Sequence, residues 1–341
     1  MYRKRLILGV LLASALGASK LLADPAPAGT TFSFGKVRWN YGMSSPVAKL
    51  SDGSYSVIAG DGVFVSEDPL KAWHLVGRLP IRGYAMVAGG ASSRLFVVVI
   101  EDSRPVDGKG VMPVTKGFVV DAKSGIKEMT YVKVVTVSFL SSKVGAMCRD
   151  GGIQITRDGG ENWSPNQPVI AHGAVGAITW LNKDSLIVAG GHPSELVLLQ
   201  VGDQDTLREV WRIGPDDPGI AGFSISGDGS IWSDSINGVE SWKMKSGESN
   251  QVVRADIDYD HVVANGDFVF LLGAQLSIWK LPGEPKHVCT FRDVKPTAIL
   301  PIKEGYMIFT ETGAIKLWRP GKEVLEEVSV TVDSISTMPA K

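Results

Sequence analysis

The chain has 341 residues, of which 44% are hydrophobic and 21% are charged, and its formal net charge at pH 7 is −1. This composition excludes an intrinsically disordered chain, because there is ample apolar material for a core. The length suits one large all-β domain or two domains of ordinary size.

The first 23 residues have the pattern of a secretory signal peptide. A basic segment (residues 3–5) precedes an apolar run (residues 6–18) that is too short to span a bilayer. Cleavage after Ala18 and cleavage after Ala23 both fit, and a short uncleaved membrane anchor is the alternative to a signal peptide. We therefore expect an exported protein, either periplasmic or secreted.

Removal of the leader makes the rest of the chain mildly acidic. The leader holds four basic residues and no acid, so the remainder has 31 basic and 36 acidic residues and a net charge of −5. Phosphate contacts need clustered Lys and Arg, so nucleic acid is not an expected partner. Residues 24–30 are predicted to be a Pro/Ala-rich linker, and residues 31–341 a single domain.

Two segments of the chain, residues 62–73 and 152–163, align without a gap. Each starts with a turn glycine, continues as a strand of β-branched residues, and ends on Asp and then Trp, eleven positions after the glycine. Shorter versions of the same turn and strand end on Trp242, Trp279 and Trp318. Internal repetition of this kind is typical of arrays of small β units.

The tryptophans give the repeat length. The five tryptophans that end these segments are, counted from Trp73, 90, 79, 37 and 39 residues apart. Halving the two long intervals gives units of roughly 40 residues, the length of a four-stranded propeller blade. Strand-like runs at residues 117–121 and 195–201 stand where the two missing tryptophans should be, which makes seven units.

The predicted fold is therefore an all-β propeller of seven four-stranded blades. A β-sandwich or a solenoid is the alternative. A propeller ring often closes by sharing a blade between the two ends of the chain. The strands predicted to pair there are Thr31–Trp39 and Val324–Val332.

The segment Thr156–Trp163 resembles the Asp-box, or BNR repeat, with the pattern Ser/Thr-x-Asp-x-Gly-x-x-Trp. This motif is found in sialidases, sortilin-like receptors and propellers similar to photosystem II assembly factors. A degenerate copy, with Leu70 in place of the glycine, lies in the first aligned segment. The signature positions of the two copies are filled by Thr156, Asp158, Gly160 and Trp163, and by Ser66, Asp68 and Trp73.

The resemblance implies a structural role for these residues. In such families the box is a turn between the outer strands of a blade, remote from the ligand face. The residue chemistry agrees, because short Asp and Thr side chains bond to turn backbone and Trp can bury its ring. Among these families, the propellers similar to photosystem II assembly factors resemble this chain most in length and in being exported. This resemblance implies a scaffold that holds a protein partner.

Catalysis has little support in the sequence. A sialidase needs an arginine triad for the substrate carboxylate, and the nearest motif, at residues 78–82, follows the first box and is scrambled. Tyr259, between Asp258 and Asp260, is the one tempting nucleophile, but this run is also typical of a solvated turn. The five histidines are scattered, so no catalytic residue, metal ligand or cofactor is assigned.

A binding surface remains, and one excursion from the repeat stands out. Residues 101–116 exceed the usual hairpin loop, which indicates either a functional loop or a long hairpin. Its candidate contact residues are Arg104, Asp107 and Lys109. A second excursion, residues 202–220, is acidic and turn-rich, and is either a contact or a solvated connection.

Three classes of function stay open. The first is a monomeric scaffold that binds a protein, with a membrane complex as one option, in the cell envelope. The second is a sialidase-like glycoside hydrolase, and the third is a propeller that binds a glycan or small ligand. Cys148 and Cys289 fall in different units, so we expect unpaired, buried thiols, although pairing in an oxidising compartment is the alternative.

Overall fold

The computed structural model describes residues 45–80, 83–106, 110–121, 123–129, 136–149, 152–170, 175–190, 195–213, 223–225, 230–235, 238–243, 249–253, 259–281 and 284–333. These residues contain 29 strands and a 3-10 turn at Asp203–Asp205. No helix in this part of the chain has the length and apolar character needed to cross a membrane. The predicted leader, the linker and the strand Thr31–Trp39 lie outside the described residues.

The first 28 strands form seven antiparallel meanders of four strands each, which we number as sheets 1 to 7 in chain order. Sheet 1 contains β1 (Val47–Lys49), β2 (Tyr55–Ala59), β3 (Gly62–Ser66) and β4 (Ala72–Arg78). Sheet 2 contains β5 (Gly83–Ala91), β6 (Arg94–Val106), β7 (Gly110–Asp121) and β8 (Gly125–Glu128). Sheet 3 contains β9 (Thr136–Phe139), β10 (Gly145–Arg149), β11 (Gly152–Thr156) and β12 (Gln167–Pro168). Sheets 2 and 3 also touch through a parallel pairing of Gly89 with Phe139.

Sheets 4 to 7 continue the same order. Sheet 4 contains β13 (Val175–Asn182), β14 (Ser185–Gly190), β15 (Glu195–Val201) and β16 (Leu207–Ile213), and sheet 5 contains β17 (Phe223–Ile225), β18 (Ser230–Ser235), β19 (Gly238–Lys243) and β20 (Ser249–Val253). Sheet 6 contains β21 (Tyr259–Asn265), β22 (Phe268–Gly273), β23 (Leu276–Lys280) and β24 (Lys286–Phe291). Sheet 7 contains β25 (Pro296–Ile302), β26 (Gly305–Thr310), β27 (Ile315–Trp318) and β28 (Leu325–Val328).

Seven hydrophobic clusters hold the sheets together. Six of them lie between consecutive sheets, from sheets 1 and 2 to sheets 6 and 7. The seventh joins sheet 7 back to sheet 1, where Phe309 and Leu300 pack with Val57 and Trp73. Central strands are therefore covered on both faces, which explains why β14 and β22 are continuous apolar runs rather than alternating ones.

This arrangement is a β-propeller, which confirms the fold class predicted from the repeat. The count of seven blades stays a prediction, and the cyclic order of the seven clusters supports it. The third strands match the sequence repeat in position. Residues 117–121 lie in β7 and residues 195–201 form β15, the third strands of sheets 2 and 4.

The positions of the tryptophans differ from the expected pattern. Trp242, Trp279 and Trp318 belong to third strands, whereas Trp73 lies in a fourth strand and Trp163 just before one. The shorter repeats therefore share the turn and the third strand with the two boxes, but not the place of the tryptophan.

The end of the chain returns to sheet 1. A last strand, β29 (Thr331–Asp333), pairs in parallel with the outer edge of β4, with Thr331 opposite Ala72. Thr331 N donates to Lys71 O at 2.8 Å, and the preceding Val330 is buried in the cluster between sheets 7 and 1. The single strand predicted over residues 324–332 is thus divided between β28 and β29, because each part pairs with a different sheet.

Two further expectations are corrected here. Part of the second excursion is regular structure, since residues 207–213 form the outer strand β16. The two cysteines are unpaired and lie in sheets 3 and 6, as expected, but only Cys148 is buried, while Cys289 is partly exposed. Burial and the charge of Glu323 raise the pKa of Cys289 to about 11.

The two ends of the propeller have different connections. In a four-stranded meander the first and third connections lie at one end and the second at the other. We call the end with the first and third connections the box face, because both box segments lie there. The sheets share this orientation, since Ser92 N and Oγ donate to Asp52 Oδ2, at 2.7 and 2.5 Å, between the first connections of sheets 2 and 1.

Candidate functional site

The complete box segment folds into a turn held by its own side chains. Thr156 Oγ1 donates to Asp158 Oδ1 at 2.8 Å and accepts from Gly160 N at 2.9 Å. The carboxylate of Asp158 in turn accepts the backbone N–H groups of Glu161 and Asn162. Gly160 has φ +87°, a left-handed conformation that other residues rarely adopt, which explains the glycine in the pattern.

These hydrogen bonds change the acidity of Asp158. The backbone N–H of Asn162, its side-chain amide and the Thr156 hydroxyl lower the pKa of Asp158 from its ordinary 3.8 to about 2. All of them favour the ionised carboxylate, which accepts hydrogen bonds better than the neutral acid. The aspartate is therefore occupied within its own turn.

We expect Asp158→Asn to lower the stability of the fold in a pH-dependent way. Because the pKa in the folded state lies below that of the unfolded state, ionised Asp158 stabilises the fold above about pH 4. This contribution is lost as the pH falls from about 4 through about 2. Urea unfolding followed by circular dichroism at pH 6.5 and pH 2.5 would measure it, with wild type and variant converging at the lower pH.

The matched control is Asp293→Asn. Asp293 is exposed, and its carboxylate forms no hydrogen bond or ion pair with the residues that the structure describes. A gap between wild type and Asp158→Asn that stayed constant between the two pH values would contradict the assignment of the stabilisation to the ionised carboxylate.

The degenerate box forms a related turn with different contacts. Ser66 Oγ donates to Ala72 O at 2.6 Å, and Trp73 Nε1 donates to Pro69 O at 3.0 Å. Asp68 forms an exposed ion pair with Lys71 at 2.7 Å, and this contact together with the backbone N–H of Leu70 lowers the pKa of Asp68. Ser66 and Trp73 are fully buried.

The two box tryptophans differ in burial. Trp73 has no exposed surface and lies in the cluster between sheets 7 and 1. Trp163 is partly exposed, donates to Gly160 O at 3.1 Å, and meets Phe139 edge to face at 6.1 Å. The box pattern predicts a buried ring in both copies, but the incomplete copy carries the more deeply buried one.

Contacts with neighbouring sheets hold the complete box in place. Arg94 of sheet 2 donates from Nη2 to Gly159 O at 3.1 Å. On the other side, Arg157 of the box pairs with Asp205 of sheet 4 at 2.7 Å. The contacts of Arg94 with Gly159 and of Asp52 with Ser92 are not visible in the sequence, because the partners are distant along the chain.

The predicted binding loop is largely a β-hairpin. Strands β6 and β7 continue as a two-stranded ribbon, which we call the arm, over residues 102–106 and 110–116. Arg104 pairs in register with Met112, and Val106 with Gly110. Asp107 and Lys109 lie outside the described residues. Of the two alternatives left open for this segment, its described residues form the long hairpin, in which backbone pairing satisfies the N–H and C=O groups.

The arm extends beyond its own sheet. Among the described residues, the pairing of β5 with β6 reaches Glu101 and the pairing of β8 with β7 reaches Phe118, followed by a hydrogen bond from Met129 N to Gly117 O at 2.8 Å. At about 3.3 Å per residue, the five residues after Glu101 carry the ribbon roughly 17 Å past β5. The arm is a second connection, so it rises from the face opposite the box face.

The edges of the arm are protected against strand addition. Pro105 and Pro113 have no backbone N–H, and the register shifts between Glu101 and Arg104 as in a β-bulge. Prolines and bulges are the features by which exposed strand edges avoid pairing with another chain. These features disfavour recognition of another chain by backbone pairing alone.

Only part of the run considered for catalysis lies within the described residues. Tyr259 starts β21 and packs against the cluster between sheets 5 and 6, while Asp258 lies outside the described residues. Burial lowers the pKa of His261 to about 4, which favours its neutral form. Within the described ranges no group of three or more His, Cys, Asp or Glu residues could hold a metal ion.

Comparison with known proteins identifies the fold. No family model and no curated protein match the chain. Solved structures do match, and those described below have low identity. A protein from Lactobacillus plantarum has 13% identity and a TM-score of 0.53, covering 80% of this chain and 92% of that one. A chain of the mitotic checkpoint complex has 11% identity and a TM-score of 0.53, covering 95% and 99%.

A third match is Sqt1 from Saccharomyces cerevisiae, with 8% identity and a TM-score of 0.54 over 83% of each chain. Propellers are among these neighbours. At such low identity the likeness shows the fold alone, and on that evidence this chain is a β-propeller.

Proposed function

We propose that this protein is an exported, non-enzymatic Asp-box propeller that acts as a protein-binding scaffold in the cell envelope. The observation that carries the proposal is the arm, a paired ribbon that leaves the sheet on the face opposite the boxes. A rigid scaffold that presents one protruding element is a common way to build a binding site.

The contacts of the box face support this assignment of roles. The carboxylates of Asp52, Asp158 and Asp205 are all used in hydrogen bonds or ion pairs within the propeller. Asp52 and Asp205 thereby join neighbouring sheets, while Asp158 holds its own turn together, and all three carboxylates have little capacity left for a partner. The opposite face carries the arm, whose residues beyond Glu101 pair only with one another in the described structure.

The structural neighbours agree with a role in assembly. One of them is a chain of the mitotic checkpoint complex, so the fold does serve in a multi-protein complex there. For this chain we propose a protein partner in the envelope, with a membrane complex as one option. Export is part of the proposal and is supported by the basic and apolar segments at the start of the chain.

Shortening the arm tests the proposal. Replacing residues 102–113 with an Asn-Gly turn should leave the ring folded, because the removed residues pair only within the arm and long surface hairpins contribute little to stability. Capture of the partner from envelope extracts by the tagged protein should fall at least tenfold. Circular dichroism would verify the fold, and N-terminal sequencing of the exported protein should start after Ala18 or Ala23.

The control is a variant on the opposite face, Lys143→Ala, which should capture the partner as well as the wild type does. Lys143 is an exposed residue in the first connection of sheet 3. Undiminished capture by the shortened variant would refute the arm as the contact. Hydrolysis of a fluorogenic sialoside that Tyr259→Phe abolishes would replace the scaffold with the glycoside hydrolase.

A further inference from the structure

A cavity on the box face has no role in the proposal above. Its volume is about 260 Å³, and it lies where the innermost strands of four consecutive sheets end. Sheet 1 contributes Lys49 to Ser51, sheet 2 Gly89 and Gly90, sheet 3 Ser138 to Leu140, and sheet 4 Thr179 and Trp180. The cavity is thus built by strands from four sheets rather than by one loop.

Lys49 is the charged side chain among the residues that line the cavity. It is exposed and forms no ion pair with the residues that the structure describes. The acid closest to it in sequence, Asp52, uses Oδ1 for Ser54 and Oδ2 for Ser92. The positive charge at the rim of the cavity is therefore not neutralised by the carboxylate that would be its most obvious partner.

Two hydroxyl groups and several apolar side chains complete the lining. The hydroxyls of Ser138 and Thr179 form no hydrogen bond within the described part of the chain. Ser138 O, by contrast, accepts Trp180 Nε1 at 3.1 Å, which fixes the indole in the wall. Leu50 and Phe139 supply apolar surface. The lining therefore combines one cation, two available hydroxyls and an apolar wall.

We propose that this cavity binds a small organic carboxylate with an apolar body, such as an aromatic acid or a single acylated amino acid. The ammonium group of Lys49 matches one carboxylate charge, and the hydroxyls of Ser138 and Thr179 can donate to its oxygens. A phosphate, with more charge, is typically held by several cations or by clustered backbone N–H groups. The volume is below the usual 300–1,000 Å³ of sites for drug-sized molecules, so the ligand is small.

Benzoate and its neutral analogue benzamide test this assignment. Titration of the wild-type protein with sodium benzoate, followed by ligand-observed NMR, should show saturable binding. Benzamide should bind at least fivefold more weakly, because it lacks the charge. Lys49→Gln should weaken benzoate binding at least tenfold and leave benzamide binding unchanged, since Lys49 is exposed and its loss does not disturb the core.

The matched control is Lys143→Gln, an exposed lysine of the same face that does not line the cavity. It should bind benzoate within twofold of the wild type. Equal affinity for benzoate and benzamide, equal affinity in Lys49→Gln, or no saturable binding by the wild type would each overturn the proposal. None of these results depends on the arm, so failure here is distinguishable from failure of the scaffold proposal.

Discussion

Trp73→Ala should lower the free energy of unfolding by about 3–5 kcal/mol, the usual cost of truncating a fully buried Trp. The indole of Trp73 has no exposed surface and packs between sheets 7 and 1. Its loss would leave a cavity in that interface and would remove the Nε1 donor from Pro69 O. The effect is large because this cluster joins the first and the last four-stranded sheets of the described chain.

Trp163→Ala is the matched comparison. The residue type and the place in the repeat are the same, but the Trp163 ring is partly exposed, so we expect roughly half the loss. Urea unfolding at 25 °C followed by circular dichroism would measure both variants without depending on tryptophan fluorescence. An equal or larger loss of unfolding free energy for Trp163→Ala would show that the burial of each tryptophan does not decide how much it stabilises the fold.

Gly89→Ala should be similarly damaging, by about 3 kcal/mol or more, through steric conflict rather than a cavity. Gly89 has φ +111° and pairs with Phe139, where sheets 2 and 3 approach through their backbones. A Cβ at position 89 would lie 2.3 Å from Phe139 O, and backbone on both sides leaves little room to adjust. The two sheets would have to separate.

Gly125→Ala separates the cost of a positive φ from the cost of the steric conflict. Gly125 also has a positive φ, of +82°, but a Cβ there would meet no atom within 4 Å. The variant should therefore show only the backbone cost of about 1–2 kcal/mol. The same urea measurement applies, and equal losses for Gly89→Ala and Gly125→Ala would contradict the close approach of sheets 2 and 3.

Much of the propeller could be predicted without coordinates, because its signals are local. Tight turns need residues such as Gly and Asn, and a strand buried on both faces needs a continuous apolar run, so both are visible within ten residues. The starts of β3, β11 and β19 at Gly62, Gly152 and Gly238 follow from this chemistry. The repeat length then indicated blades.

The candidate sites were harder to predict from the sequence. The excursion at residues 101–116 was recognised by its length, but length does not distinguish an open loop from a paired ribbon. The cavity beside Lys49 left no trace in the sequence, because its lining comes from positions as far apart as Ser51 and Thr179. The anchoring of the box by Arg94 was hidden for the same reason, since Gly159 is 65 residues away.

The sequence by itself thus determined the all-β class, the four-stranded unit and the residues that make the box turns. Only the tertiary structure decided which box tryptophan is buried, on which face the arm rises, and that β29 returns to pair with β4. The physical reason is the range of the interactions. Turn and strand preferences act between neighbours in the chain, whereas burial, the order of the faces and ring closure depend on which distant segments meet.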